Sequence, residues 1–140
     1  MRLLASTDFA LRTLMRLAAE PDRRLTTETL AREIGVPRNH LHKVVQALAE
    51  AGLVRTTRGA GGGVTLARDP AAITLGAVVR RLERGQPLVE CFRADGGACP
   101  IQPACRLAGV LAEARDAFLR RLDATRLADF AVPVALAPQG

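Results

Sequence analysis

The sequence predicts a mainly α-helical fold: a winged helix-turn-helix with a β-hairpin wing, followed by a cysteine loop and a long C-terminal dimerisation helix. Three observations carry this prediction. Two short helical patterns flank the tight turn Gly35-Val36-Pro37, the spacing a helix-turn-helix needs. The second pattern leads into two short β-like segments around a glycine-rich tip. All three cysteines, Cys91, Cys99 and Cys105, then fall within one Gly- and Pro-containing stretch ahead of a long apolar-periodic segment.

The elements follow in order. Ser6-Thr7-Asp8 offers capping residues for a first helix over about Asp8 to Ala19, with Leu11, Leu14, Met15 and Ala18 at helical spacing. Pro21-Asp22 breaks it. Thr26 and Thr27 can cap a short second helix that turns Leu30, Ala31 and Ile34 inward and stops at Gly35. Pro37 stands where a third helix starts; Leu41, Val44, Val45 and Leu48 form its apolar stripe, and Gly52 ends it. Leu53-Val54 and Val64-Thr65-Leu66 are the strand candidates. Thr74 caps a fourth helix carrying Leu75, Val78, Val79 and Leu82, closed by Gly85-Gln86-Pro87. The cysteine stretch should be mostly loop. A long helix from about Ala104 to Leu122 shows Leu107, Ala108, Leu111, Phe118, Leu119 and Leu122, more apolar surface than one small domain can cover. It is expected to pack against the same helix of a second subunit, the alternative being core packing within one subunit. Thr125 can cap a last short turn. The corresponding division is a winged helix-turn-helix domain at 1–84, a cysteine loop at 85–104, a dimerisation helix and short turn at 105–130, and a disordered tail at 131–140.

Composition narrows the function. Hydrophobic residues make up 49% of the 140, but aromatics only 3%, so aliphatic side chains must fill the core. No apolar run approaches the length that crosses a bilayer, and Asp8 and Arg12 interrupt the N-terminus too early for a secretory leader. A cytoplasmic protein is expected. Thiols stay reduced there, and an odd cysteine count argues against a disulfide framework. The net charge is +6, and residues 36–68 hold Arg38, Lys43, Arg55, Arg58 and Arg68 against a single acid, Glu50. Such a local excess suits a polyanion, although a solvated basic face reads the same way.

Helical geometry sharpens the point. At about 100° per residue, the face of the third helix opposite its apolar stripe carries Asn39, His42, Lys43 and Gln46. Amides and long donors of this kind reach base edges and phosphates in a major groove. Arg58, on the ribbon, can reach the adjacent minor groove, whose negative potential attracts guanidinium. The run Gly59, Gly61, Gly62 and Gly63 is no phosphate loop, because it lacks a following Lys-Ser/Thr and sits between strands. No acid/base pair beside a substrate pocket is evident, so an enzyme is not expected.

The cysteine spacing is C-x7-C-x5-C, and neither gap matches the short pairs of structural zinc sites. The intervening glycines and prolines favour a loop that folds back and points three thiolates at one centre. Soft thiolates suit an iron–sulfur cluster; three would hold three irons of a four-iron cube and leave the fourth to another donor. Zinc and unligated thiols remain the other readings of the spacing.

Residues from Met1 to about Phe130 resemble the IscR/NsrR family of winged-helix iron–sulfur transcriptional regulators. The resemblance is carried by "STDFALRTLMRLA", "NHLHKVVQALAEAGLVRTTRGAGGGVTLARDP", "ITLGAVVRRLE", "LVECF" and "CPIQPACRL", in that order. "NHL-KVV" and "LVECF" point to the NsrR branch, the nitric-oxide-sensing repressors. The resemblance implies that Cys91, Cys99 and Cys105 ligate a cluster, a 4Fe-4S one in each subunit, and that Asp8 of the partner subunit is the fourth ligand. On its residue type alone Asp8 is an acid in a first helical turn, stabilised by the helix dipole. The histidine that the IscR branch uses three residues after the last cysteine is replaced by Ala108, and His40 and His42 lie on the recognition helix, so neither is assigned to metal.

The resemblance further implies base reading by Asn39, His42, Lys43 and Arg58. Gln46 shares their face, and Arg38, Arg55, Thr27 and Glu28 are expected to touch or orient near phosphates. Where the IscR branch has Glu and Gln this chain has His42 and Lys43, so its operator should differ. The implied function is a homodimeric repressor on a palindromic operator, released when nitric oxide nitrosylates or destroys the cluster. The nearest alternative is an iron–sulfur-status or redox sensor of the same family with a 2Fe-2S cluster. Readings of other classes are a small iron–sulfur or zinc protein with no DNA-binding role and a metal-free architectural DNA binder.

Overall fold

A computed structural model describes residues 1–131; the expected tail lies, but for its first residue, outside the described residues. Five α-helices and one hairpin make up the regular structure: α1 (Ala5–Ala19), α2 (Thr27–Ile34), α3 (Arg38–Glu50), β1 (Val54–Thr57), β2 (Gly63–Leu66), α4 (Leu75–Leu82) and α5 (Leu107–Asp123). Short 3-10 turns lie at Pro70–Ala72, Glu90–Phe92, Gln102–Ala104 and Leu127–Phe130.

The helix-turn-helix forms for local reasons. The Thr26 side chain accepts from the Thr29 N–H at 3.1 Å and caps α2. Gly35 closes α2 in the left-handed region at φ 67, where a side chain would be strained. Pro37 then takes the N-cap position of α3. The stripe Leu41, Val44, Val45 and Leu48 is buried as the periodicity predicts. β1 and β2 pair antiparallel from Val54↔Leu66 to Thr57↔Gly63, and Leu25 adds a one-residue bridge to Val64 on the outer edge of β2. The core is aliphatic: Leu14, Leu17, Leu30, Leu41, Leu48, Val64, Ile73, Val78 and Leu127 are all 2% exposed or less. Burying each such side chain contributes roughly 1.5–3 kcal/mol before chain entropy is set against it.

Several boundaries differ from the sequence reading. α1 starts at Ala5 with Leu4 at its N-cap, and Ser6, Thr7 and Asp8 lie inside the helix. The Leu4 N–H donates to Glu83 Oε1 at 2.8 Å, so a tertiary partner satisfies one of the N-terminal amides and no capping side chain is needed. Thr7 is wholly buried and extends the inward face upstream. α5 starts at Leu107, since Pro103 sits in a 3-10 turn and Cys105 is extended. Thr125 does not cap the final turn; its hydroxyl donates to the Arg121 carbonyl at 3.0 Å and accepts from Arg121 Nη1 at 2.8 Å, closing α5 instead. β1 starts one residue later than Leu53-Val54 and runs on to Thr57, and β2 starts one residue earlier than Val64, at Gly63.

The C-terminal turn returns to the winged helix. Thr74 and Arg126 form an antiparallel bridge, the Leu127 N–H donates to the Ile73 carbonyl at 2.9 Å, and Leu127 joins the core. α4 holds α5 through a bidentate pair between Arg80 and Asp123. Gly76 makes room for it, since a Cβ there would stand 2.8 Å from the Asp123 backbone nitrogen. By contrast no residue of α5 is buried, and Leu107 and Val110 are each 60% exposed. α5 therefore keeps apolar surface open to solvent. No helix of the described residues is long and apolar enough to cross a membrane.

Candidate functional site

α3 presents its polar face to solvent. Arg38, Asn39, His42, Lys43 and Gln46 are all exposed, and none has a hydrogen-bond or ion-pair partner among the described residues. The wing adds Arg55 on β1 and Arg58 just beyond it, both exposed and equally unpartnered. At the start of α2, Thr27 is half-buried and Glu28 exposed. The structure thus brings the expected reading residues to α3, the wing and the first turn of α2. A helix of this kind fits a major groove, and a ribbon beside it reaches backbone or minor groove. Seven donor-rich side chains left without intramolecular partners are what a polyanion surface requires, because no internal bond must break on binding.

The cysteines occupy a separate loop after α4. Cys91 lies in the turn Glu90–Phe92, Cys105 follows the turn Gln102–Ala104, and Cys99 stands between them; all three are free thiols and half-buried. Glycine shapes this loop. Gly97, at φ 66, passes so close to Glu90 that a Cβ would lie 2.5 Å from the Glu90 carbonyl oxygen. The Ala98 N–H donates to Glu90 Oε1 at 3.2 Å, and the Gly97 N–H to Asp95 Oδ1 at 2.9 Å. Arg115 of α5 stacks over the Phe92 ring at 5.0 Å and ties the loop to that helix. Among the described residues no three or more His, Cys, Asp or Glu side chains converge as metal ligands. The donor chemistry nevertheless fits an iron–sulfur cluster: three unbridged thiols, none of them fully buried, in one glycine-bent loop.

Asp8 sits on the first turns of α1, its side chain 51% exposed. Within its own chain it pairs with Arg12, Oδ2 to Nη2 at 2.6 Å. Arg12 also donates through Nη1 to the Ile34 carbonyl at 3.3 Å, the last residue of α2. One guanidinium therefore joins the Asp8 carboxylate to the turn between α2 and α3.

Sequence reasoning missed three arginines. Arg12 owes its place to the reach of α1 over the end of α2. Arg16 is 1% exposed and pairs with Glu33 at 2.6 Å and Glu20 at 2.9 Å. Its position between Leu14 and Leu17, two core residues, was the available signal. Arg24 donates from Nη1 to the Gly61 carbonyl at 2.7 Å across 37 residues, and no local pattern announces that contact.

Known proteins can be set beside this geometry. The Rrf2 family, described as iron-dependent transcriptional regulators, matches residues 3–133. Two proteins named HTH-type transcriptional regulator NsrR are similar over 130 residues. That of Geobacillus kaustophilus is 44% identical, covering 92% of this chain and 88% of its own. That of Bacillus subtilis is 43% identical, covering 92% and 89%. Among solved structures, the global cysteine regulator CymR of B. subtilis superposes with a TM-score of 0.72 at 28% identity, over 94% of this chain and 96% of that one. The IscR of T. potens gives 0.72 at 23% identity over 100% and 94%, a likeness of fold. With the reading face, the wing and the family match in agreement, the chain belongs to the Rrf2 family of transcriptional regulators.

Proposed function

We propose that the protein is a nitric-oxide-responsive repressor that binds a palindromic operator as a homodimer, with one iron–sulfur cluster per subunit. Residues 1–84 read DNA, the loop at 85–104 together with the adjoining Cys105 holds the cluster, and the rest of 105–130 joins the subunits. The observation that carries this reading is the coexistence in one chain of an unpartnered donor face on α3 and the wing with three free thiols on one loop. The names borne by its relatives support it.

Cys91, Cys99 and Cys105 would hold the cluster, with Asp8 of the partner subunit as the fourth donor. When bound, a cluster with one carboxylate-held iron supplies a site open to nitric oxide, because a hard carboxylate leaves soft iron more readily than thiolate does. The chain's own residues provide the coupling. Asp8 shares Arg12 with the Ile34 carbonyl, so a carboxylate drawn away from Arg12 is felt at the turn that aims α3. α5 sets the separation of the two subunits. Half-sites lie about 34 Å apart or at multiples of that, so a small change in the attitude of either α3 costs affinity at both.

The test is anaerobic purification followed by absorption and resonance Raman spectra and DNA mobility shifts, before and after nitric oxide. Iron–sulfur bands that disappear together with the shifted complex are the expected result. Cys99→Ala should abolish both at once. Tight DNA binding that survives either treatment would falsify control by the cluster.

A further inference from the structure

The wing tip has the densest glycine content in the chain, and a residue outside it holds its shape. Gly59, Gly61 and Gly63 all have positive φ, at 87, 75 and 149. The Gly62 N–H donates to the Gly59 carbonyl at 2.9 Å, and a Cβ on Gly62 would stand 2.7 Å from that same oxygen. The tip is thus folded tightly on its own backbone. Glycine loses the most conformational freedom on ordering and contributes no side-chain packing, so such a tip keeps one shape only when tied down.

Two ties are present. At the base, Leu25 and Val64 exchange both backbone hydrogen bonds, Leu25 N–H to the Val64 carbonyl at 3.0 Å and Val64 N–H to the Leu25 carbonyl at 2.7 Å. At the tip, Arg24 Nη1 donates to the Gly61 carbonyl at 2.7 Å. The Arg24 side chain passes over Gly63, where a Cβ would lie 2.9 Å from its Cγ. Arg24 adjoins the bridging Leu25 and stands two residues before Thr26, the N-cap of α2. One side chain therefore links the tip of the wing to the first residues of the helix-turn-helix. Arg55 and Arg58, the guanidinium groups on the wing itself, have no such partner among the described residues.

We infer that Arg24 is a positioning residue for DNA recognition: it pins the wing tip to the entrance of α2 and so fixes where Arg58 stands relative to α3. The inference rests on the reading that Arg58 meets DNA. A guanidinium held at a set displacement from the major-groove helix loses less freedom on binding and is aimed at one stretch of adjoining minor groove. The competing role for Arg24 is direct contact with phosphate. Its guanidinium has five N–H donors, of which the Gly61 carbonyl engages one. The two roles predict different coupling. A pin acts through Arg58, so removing both residues costs little more than removing either. Two independent DNA contacts multiply.

The test uses full-length protein, prepared anaerobically, and a duplex that the wild type has selected from a random-sequence library. Dissociation constants and salt slopes are measured for Arg24→Ala, Arg58→Ala, the double variant and Arg24→Lys. Each alanine variant should weaken binding about tenfold and lower the salt slope by about one. The double variant should also stay near tenfold and a loss of one, not a hundredfold and a loss of two. Arg24→Lys keeps one donor for Gly61 and should recover most of the affinity. Hydrogen exchange without DNA gives a second reading: Arg24→Ala should speed exchange of the Gly62 amide about tenfold and leave α3 amides unchanged. Multiplicative losses in the double variant overturn the inference, as does an unaltered Gly62 rate. If Arg58→Ala alone binds like wild type, the wing contact itself fails, and the exchange measurement still decides whether Arg24 pins the tip.

Discussion

A buried arginine is a costly residue, and Arg16 shows what the fold does with one. Its side chain is 1% exposed and has Glu33, itself 13% exposed, on Nε and Glu20 on Nη2. Arg16→Met removes the cation and leaves Glu33 nearly buried without its partner. It should cost roughly 3 kcal/mol or more, read as a lower urea midpoint at unchanged slope. The pH dependence follows from the same pair. Hydrogen bonding from Arg16, and secondarily from Arg23, holds the Glu20 carboxyl below its usual range against the opposing effect of burial. Arg80 lowers Asp123 in the same manner. A lowered acid stabilises the fold fully above its unfolded value and loses that contribution as pH falls through the folded one. The thermal midpoint should therefore be flat near neutrality and drop below about pH 4. In Arg16→Met the part of that drop due to Glu20 should be diminished, which a melting series against pH checks. At this scale the sequence is informative where a residue type announces its own chemistry. Their roles remain the proposal, but the grouping of the cysteines on one loop, the exposure of the donor face of α3 and the place of Arg58 on the wing were legible. Arg12, Arg16 and Arg24 were not, because each works through a partner 17 to 37 residues away.

Among the elements, helices and their caps were the most readable. Thr26, Gly35 and Thr74 mark α2 and α4 by local hydrogen bonding and left-handed backbone, which need no tertiary context. The start of α1 was misread for the opposite reason. The amide at its N-cap, Leu4, is satisfied by Glu83, far along the chain, so Ser6, Thr7 and Asp8 are free to be helical. The asparagine-free glycine tip predicted a hairpin and found one, though β1 runs on to Thr57, where it pairs with Gly63. The α4–α5 contact carries its own prediction. Gly76→Ala would drive a methyl into Asp123 and its backbone, separating the helices and breaking the Arg80 pair. A loss of roughly 1–3 kcal/mol is expected, measured by denaturant unfolding, with α3 and its DNA face unaffected in their own hydrogen exchange.

At the scale of the whole molecule, burial is uneven along the chain. α5 has no buried residue, and Leu107 and Val110 stand exposed along it, while the winged helix at the other end is fully cored. The sequence showed this imbalance as an excess of apolar positions after residue 104, and the structure retains it. Val110→Asp places a charge in that face and should shift the protein to monomer in sedimentation, with operator affinity falling at least about tenfold as the paired half-sites decouple. A dimer that persists with Val110→Asp removes α5 from the interface. What the sequence could not provide is the link from Asp8 through Arg12 to the Ile34 carbonyl at the end of α2, since those contacts are made only in three dimensions. The central claim is that the state of the thiol-held cluster sets DNA affinity. The most direct measurement is the dissociation constant for one selected duplex at one salt concentration, for anaerobically loaded protein and for the same preparation stripped by chelation under reducing conditions. Loaded protein is predicted to bind at least about tenfold tighter; equal affinities for the two forms would contradict the account.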